Sequence, residues 1–202
     1  MGTLVLNSRG LNTKDGAKII ARALDSLAKK NADLVERSKL RLFAVSVPGY
    51  QVDEIIRKNC IEILGLTPQN IYMSADGIPD GITPELLYVT EGNTFRILKY
   101  MQDCDLLDYI RKVMQGNPKT VYIGSSAGAM IAGVDIALAK DFDRNDEGWM
   151  NLTALGLFDG TIIPHLTKSQ VRRYLSFKEE HVRNRYTKIY AVGNDEVVTM
   201  PV

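Results

Sequence analysis

Hydrophobic positions recur along this chain at two periods, and the two alternate almost throughout. Residues 3–6 form a short apolar run, followed by a polar, glycine-containing loop. Between 18 and 29, Ile19, Ile20, Ala23, Leu24 and Leu27 fall at helical spacing. The run 40–47 is longer, mostly apolar and closed by Pro48-Gly49, as expected of a strand covered on both faces. Helical spacing returns over 52–64 through Ile55, Ile56, Cys60, Ile63 and Leu64.

The cycle then repeats. A weak strand is expected at 71–73 and a better one at 86–90, before a helical stripe over 95–114 with a break near Asp103. Residues 121–124 read as a strand that leads into a helix from Ala127. Strands at 161–164 and 188–192 flank a basic helix over 168–185, and 197–200 is expected to close the sheet as a hairpin arm. No internal repeat, low-complexity stretch or linker interrupts the pattern. It predicts a single α/β domain over residues 1–202, with a mainly parallel sheet and helices on both faces. Ligands of such sheets sit beyond the carboxyl ends of the strands, which is where chemistry should be sought.

One local motif stands there. Gly124-Ser125-Ser126-Ala127-Gly128 follows the apolar run Val121-Tyr122-Ile123 directly, so Gly-x-Ser-x-Gly occurs between a strand and a helix. A turn that tight strains its central residue and needs small neighbours, which Gly124, Ala127 and Gly128 supply. The Ser126 hydroxyl would then project above the sheet, and amides at the helix start could donate to an oxyanion. Ser125 is the competing nucleophile, but the spacing of the glycines favours Ser126. A glycine-rich turn that only packs closely, or cradles a phosphate, is the plainer alternative.

A serine nucleophile needs a base, and the chain has two histidines. His165 follows the strand at 161–164, on the same sheet edge as Ser126. His181 lies in the charged stretch 178–183 and reads as a surface residue. His165 is therefore the expected base. A carboxylate should orient it, and Gly193-Asn194-Asp195-Glu196 lies just past the strand at 188–192, with Asp195 the first choice and Glu196 the second. A polar hairpin turn is the alternative for that segment.

Bulk properties narrow the class. The 25 basic and 24 acidic residues leave a net charge of +1, which gives no reason to expect nucleic acid or a membrane surface as partner. Cys60 and Cys104 are too few for a disulfide framework and are expected to be buried free thiols. No secretory signal is visible, and no apolar run approaches the roughly 20 residues that span a bilayer. The chain reads as soluble and cytoplasmic.

With Gly92-Asn93-Thr94-Phe95, the serine turn 124–129 and Pro164-His165 in hand, the chain resembles the peptidase E family, the aspartyl dipeptidases and cyanophycinases. The resemblance covers most of the chain. It implies a three-layer α/β/α sandwich akin to class I glutamine amidotransferases and a Ser-His-Asp/Glu triad in this chain order. It also implies an oxyanion hole from Gly92 and the Ala127 amide, a short peptide as substrate, no metal or organic cofactor, and room for a homodimer. Three features depart from the family pattern. Glu91 replaces a glycine, an ungapped comparison puts Asn194 at the carboxylate position, and Arg172 and Arg173 stand near, without clearly matching, the arginine that receives an aspartyl side chain. A catalytically impaired relative that binds a peptide or small metabolite in the same crevice is the second reading, and an esterase or acyl transferase the third.

Overall fold

A computed structural model describes residues 2–49 and 52–202. Five strands run parallel in the order β3-β2-β4-β5-β1: β1 (Thr3–Asn7), β2 (Leu42–Val45), β3 (Ile71–Met73), β4 (Leu86–Val89) and β5 (Val121–Ser125). The main helices between them are α1 (Lys14–Ala28), α2 (Asp53–Asn59), α3 (Thr94–Asp103) and α4 (Leu106–Gly116). The helix expected over 52–64 changes character inside its span, α2 running on as a π-helical turn, Cys60–Leu64. The expected break near Asp103 is real, and Asp105 takes a left-handed backbone (φ 55°) between α3 and α4.

Alternate side chains of each strand enter two separate cores, which makes the sandwich three-layered. Leu4, Leu6, Phe43, Val45, Leu87, Val89 and Tyr122 pack under α3 and α4, while Val5, Leu42, Ala44, Leu86, Tyr88, Val121 and Ile123 pack against α1 and α2. Both faces are apolar, which is why these strands read as unbroken hydrophobic runs.

Beyond β5 the chain departs from the simple picture. Helix α5 (Ala127–Ile131) is only five residues long, and the segment after it folds back. The N–H groups of Leu155 and Leu157 bond the carbonyls of Ile131 and Ala132 at 2.9 Å each, closing the helix end. Strands β6 (Thr161–Pro164) and β7 (Ile189–Val192) pair in parallel as a second, two-stranded sheet. The basic stretch expected as one helix is two, α6 (Lys168–Ser176) and α7 (Glu180–Arg183).

The last strand, β8 (Val197–Pro201), is not a hairpin arm on β7. It lies antiparallel on β1, with Leu4 opposite Met200, and closes the edge of the six-stranded sheet. Cys60 is buried as expected, and burial pushes its thiol up to about 12, but Cys104 is exposed at the end of α3.

Candidate active site

Hydrogen bonds draw the carboxyl ends of β1, β4 and β5 and of the β6–β7 pair together. β5 delivers Ser126. Its backbone, at φ 49° and ψ −105°, is in a region that L-residues avoid, and the turn is held by its own N–H donating to the Asn7 carbonyl at 2.8 Å. Both flanking glycines are required by contact. A Cβ on Gly128 would stand 2.1 Å from the Val89 carbonyl oxygen, and one on Gly124 would stand 2.6 Å from the Gly128 carbonyl oxygen. The buried Tyr122 hydroxyl donates to that same Gly128 carbonyl at 2.8 Å.

His165 follows β6 and also has a left-handed backbone, φ 64°. Ser8, fully buried at the end of β1, fixes it: the Ser8 hydroxyl accepts the His165 N–H at 2.9 Å and donates to the Val192 carbonyl at 2.6 Å. One hydroxyl therefore ties the main sheet to the ends of β6 and β7. The ring it places stands with Nε2 2.9 Å from the Ser126 Oγ.

The other ring nitrogen meets an amide. His165 Nδ1 lies 2.7 Å from Asn194 Oδ1, so Nδ1 carries the proton and Nε2 is left to accept from the serine. Asp195, expected there, is 81% exposed and ion-paired to Arg9 at 3.3 Å. Glu196, the second choice, bends back to accept the Gly193 N–H at 2.9 Å. The reason is the turn itself: the Glu196 N–H donates to the Gly193 carbonyl at 3.2 Å, and within so tight a loop successive side chains diverge. Only Asn194 is presented to the ring. The structure thus brings Ser126 and His165 together and puts Asn194 in the position expected of Asp195.

Gly92 turns the chain after β4 at φ 141°, a glycine conformation. Among the described residues, the N–H groups of Gly92 and of Ala127, at the head of α5, have no protein acceptor. The neighbouring Asn93 and Thr94 are occupied with structure. Asn93 caps α3, accepting the Arg96 N–H at 3.1 Å, and the Thr94 N–H donates to Asp143 at 2.9 Å. Arg172 and Arg173 are exposed on α6.

Beneath Ser126 lies a polar layer that sequence reasoning missed. Asn7, Ser8 and Ser125 are fully buried, as is Tyr88, whose hydroxyl accepts the Leu11 N–H at 2.9 Å. Glu91 accepts the Gly10 N–H at 2.8 Å through one oxygen, and burial pushes its carboxyl above the usual value, against the pull of Gly10 and of His165. Burial, and then the nearby charge of Glu91, push the Tyr88 phenol up as well. The signal available was Asn7-Ser8 at the end of an apolar strand, polar residues on the edge where ligands bind. No group of His, Cys, Asp and Glu suited to a metal occurs among the described residues, and no helix among them is long and apolar enough to cross a membrane.

Residues 57–201 match peptidase family S51. The chain belongs to that family. An uncharacterised peptidase of Listeria monocytogenes is 29% identical over 155 residues, which is 70% of each chain. An uncharacterised peptidase of Pasteurella multocida is 38% identical over 85 residues, and peptidase E of Actinobacillus pleuropneumoniae is 39% identical over 89. The matched segments span only 40% and 36% of those two relatives. A provisionally assigned peptidase E structure from Listeria monocytogenes superposes with a TM-score of 0.63 at 20% identity, covering 100% of this chain and 99% of that one. The chain shares the fold of that structure, with a mostly parallel central sheet.

Proposed function

We propose that this protein is a cytoplasmic serine peptidase that hydrolyses short peptides through an acyl-enzyme on Ser126. The observation that carries this reading is the 2.9 Å approach of Ser126 Oγ to His165 Nε2, at a strained strand-to-helix turn. The hydroxyl attacks the scissile carbonyl carbon while its proton passes to Nε2. The oxyanion that forms is received by the N–H groups of Gly92 and Ala127, each such donor contributing roughly 3 kcal/mol in hydrolases of this kind. The imidazolium then gives its proton to the leaving amine, the C–N bond breaks, and a water activated by the same nitrogen releases the acyl group. His165 needs Nδ1–H for this cycle, and the Asn194 carbonyl supports that tautomer.

The test is labelling by a fluorophosphonate, which reacts with an activated serine. Wild type should be labelled and Ser126→Ala should not, and labelling of both alike would refute the assignment. A second reading, a relative that binds peptides with little turnover, is favoured by the amide at position 194, since an amide supplies no negative charge. Saturable binding of dipeptides without their cleavage would decide for it.

A further inference from the structure

Eight buried side-chain polar atoms have no hydrogen-bond partner among the described residues, and five of them gather at one place. They are both amide atoms of Asn7, the hydroxyls of Thr90 and Ser125, and Oε1 of Glu91. Buried polar groups in folded proteins are almost always paired, so orphans collected at a single point call for a ligand. The strand register is what collects them. Asn7 lies opposite Ser125, and Thr90 follows Val89, which lies opposite Gly124. Side chains alternate along a strand, and Val5, Tyr88 and Ile123, two positions earlier on the same three strands, pack against α1 and α2. Asn7, Ser125 and Thr90 therefore share that face in one row, and they are 0%, 0% and 1% exposed.

The loop after β1 covers the row. A Cβ on Gly10 would stand 2.3 Å from the Tyr88 hydroxyl, 3.1 Å from the Glu91 carboxyl carbon and 3.1 Å from the Ser125 Cβ, so these side chains meet around one point. The backbone donors of that loop are already used. The Gly10 N–H goes to the other oxygen of Glu91 and the Leu11 N–H to Tyr88.

We propose that this row is a binding site for internal water, held among Asn7, Thr90, Ser125 and Glu91. Asn7 sets the chemistry of the ligand. Its Nδ2 needs an acceptor and its Oδ1 needs a donor, and water is both. A monovalent cation would satisfy the oxygens and leave the amide N–H groups unpaired. The location matters because the backbones of the same residues build the candidate site. The Asn7 carbonyl accepts the Ser126 N–H at 2.8 Å, the Thr90 carbonyl accepts the Gly128 N–H at 3.2 Å, and Glu91 directly precedes Gly92. Water bridging their side chains ties the Ser126 turn to the Gly92 turn.

A high-resolution crystal structure of wild type is the direct test. Ordered solvent should lie roughly 2.7–3.2 Å from Asn7 Nδ2 and from at least one of the Thr90, Ser125 and Glu91 oxygens. Side chains paired directly with one another, with no solvent between them, would overturn the proposal. So would an anomalous peak at this point in crystals grown with rubidium salts, the mark of a cation. Thr90→Val tests the same site in solution, because it removes the hydroxyl and keeps the shape. If the hydroxyl holds water, the variant should melt about 3 °C or more below wild type. A hydroxyl buried without a ligand would make the valine variant the more stable, so a raised midpoint would also overturn the proposal. The effect on the turns is read by fluorophosphonate labelling, the one arm that rests on the acyl-transfer reading, and Thr90→Val should slow it about 3-fold or more. Unchanged labelling would overturn the tie between the two turns. Wild type that fails to label would refute acyl transfer instead, and the crystallographic and melting tests would still decide whether water is bound.

Discussion

At the scale of single residues, the site is made by two backbones held where L-residues seldom go, Ser126 at φ 49° and His165 at φ 64°. Such conformations cost on the order of 1–3 kcal/mol each and persist only where neighbours enforce them. At Ser126 the enforcing contacts are the N–H bond to Asn7 and the near collision of Gly128 with β4. Two variants that both lose the nucleophile should therefore differ in stability. Ser126→Gly relieves the strain and Ser126→Ala does not, so the glycine variant should be the more stable by about 1 kcal/mol in chemical denaturation, even though glycine normally costs folding entropy.

At the scale of elements, the junction of β4, β5 and α5 is packed too closely to take one more carbon. Gly128→Ala would drive a methyl group into the backbone of Val89, and a loss of about 3 kcal/mol or more is expected, read as a lower midpoint of thermal or urea unfolding. The entry to the sheet is held by charge. Just ahead of β4, Glu85 accepts the Arg41 backbone N–H at 2.8 Å and its Nε at 3.1 Å, joining the starts of β2 and β4. Burial alone would raise the Glu85 carboxyl, but the hydrogen bonds and charge of Arg41 outweigh it and hold the group below its ordinary 4.5. A carboxylate lowered on folding stabilises above its unfolded value and loses that stabilisation as pH falls through the folded one. Glu85→Gln should therefore lower the melting temperature at pH 7, and the gap to wild type should close as pH falls below 4.5.

At the scale of the whole molecule, the candidate site lies at a seam between two sheets. The nucleophile turn belongs to the six-stranded sheet, and His165 and Asn194 belong to the β6–β7 pair. Ser8 crosses the seam, so Ser8→Ala should leave the His165 N–H and the Val192 carbonyl unpartnered. The expected cost is about 1–3 kcal/mol of stability, by calorimetry. Loosening the ring should also slow fluorophosphonate labelling on the order of 10-fold, since small misplacements weigh heavily on a positioned base. A stability loss with labelling unchanged would mean that Ser8 holds the sheets together without placing the ring.

By itself the sequence determined the strands and the layering, and it singled out Ser126 and His165 as residues to look for on one edge. Runs such as Leu42–Val45 are apolar because both faces are covered, and the glycines on either side of Ser126 mark a turn too tight for larger neighbours. These are local signals, written in adjacent residues. Only the tertiary structure decided which of Asn194, Asp195 and Glu196 meets His165, because a tight turn sends neighbouring side chains in different directions. It also decided that β8 joins β1 rather than β7, since an edge strand's own pattern does not name its partner. Packing likewise gathered Asn7, Ser8 and Tyr88 into one buried layer with the half-buried Glu91 beside it. Those residues come from two strand ends separated by some eighty positions, and only packing makes them neighbours.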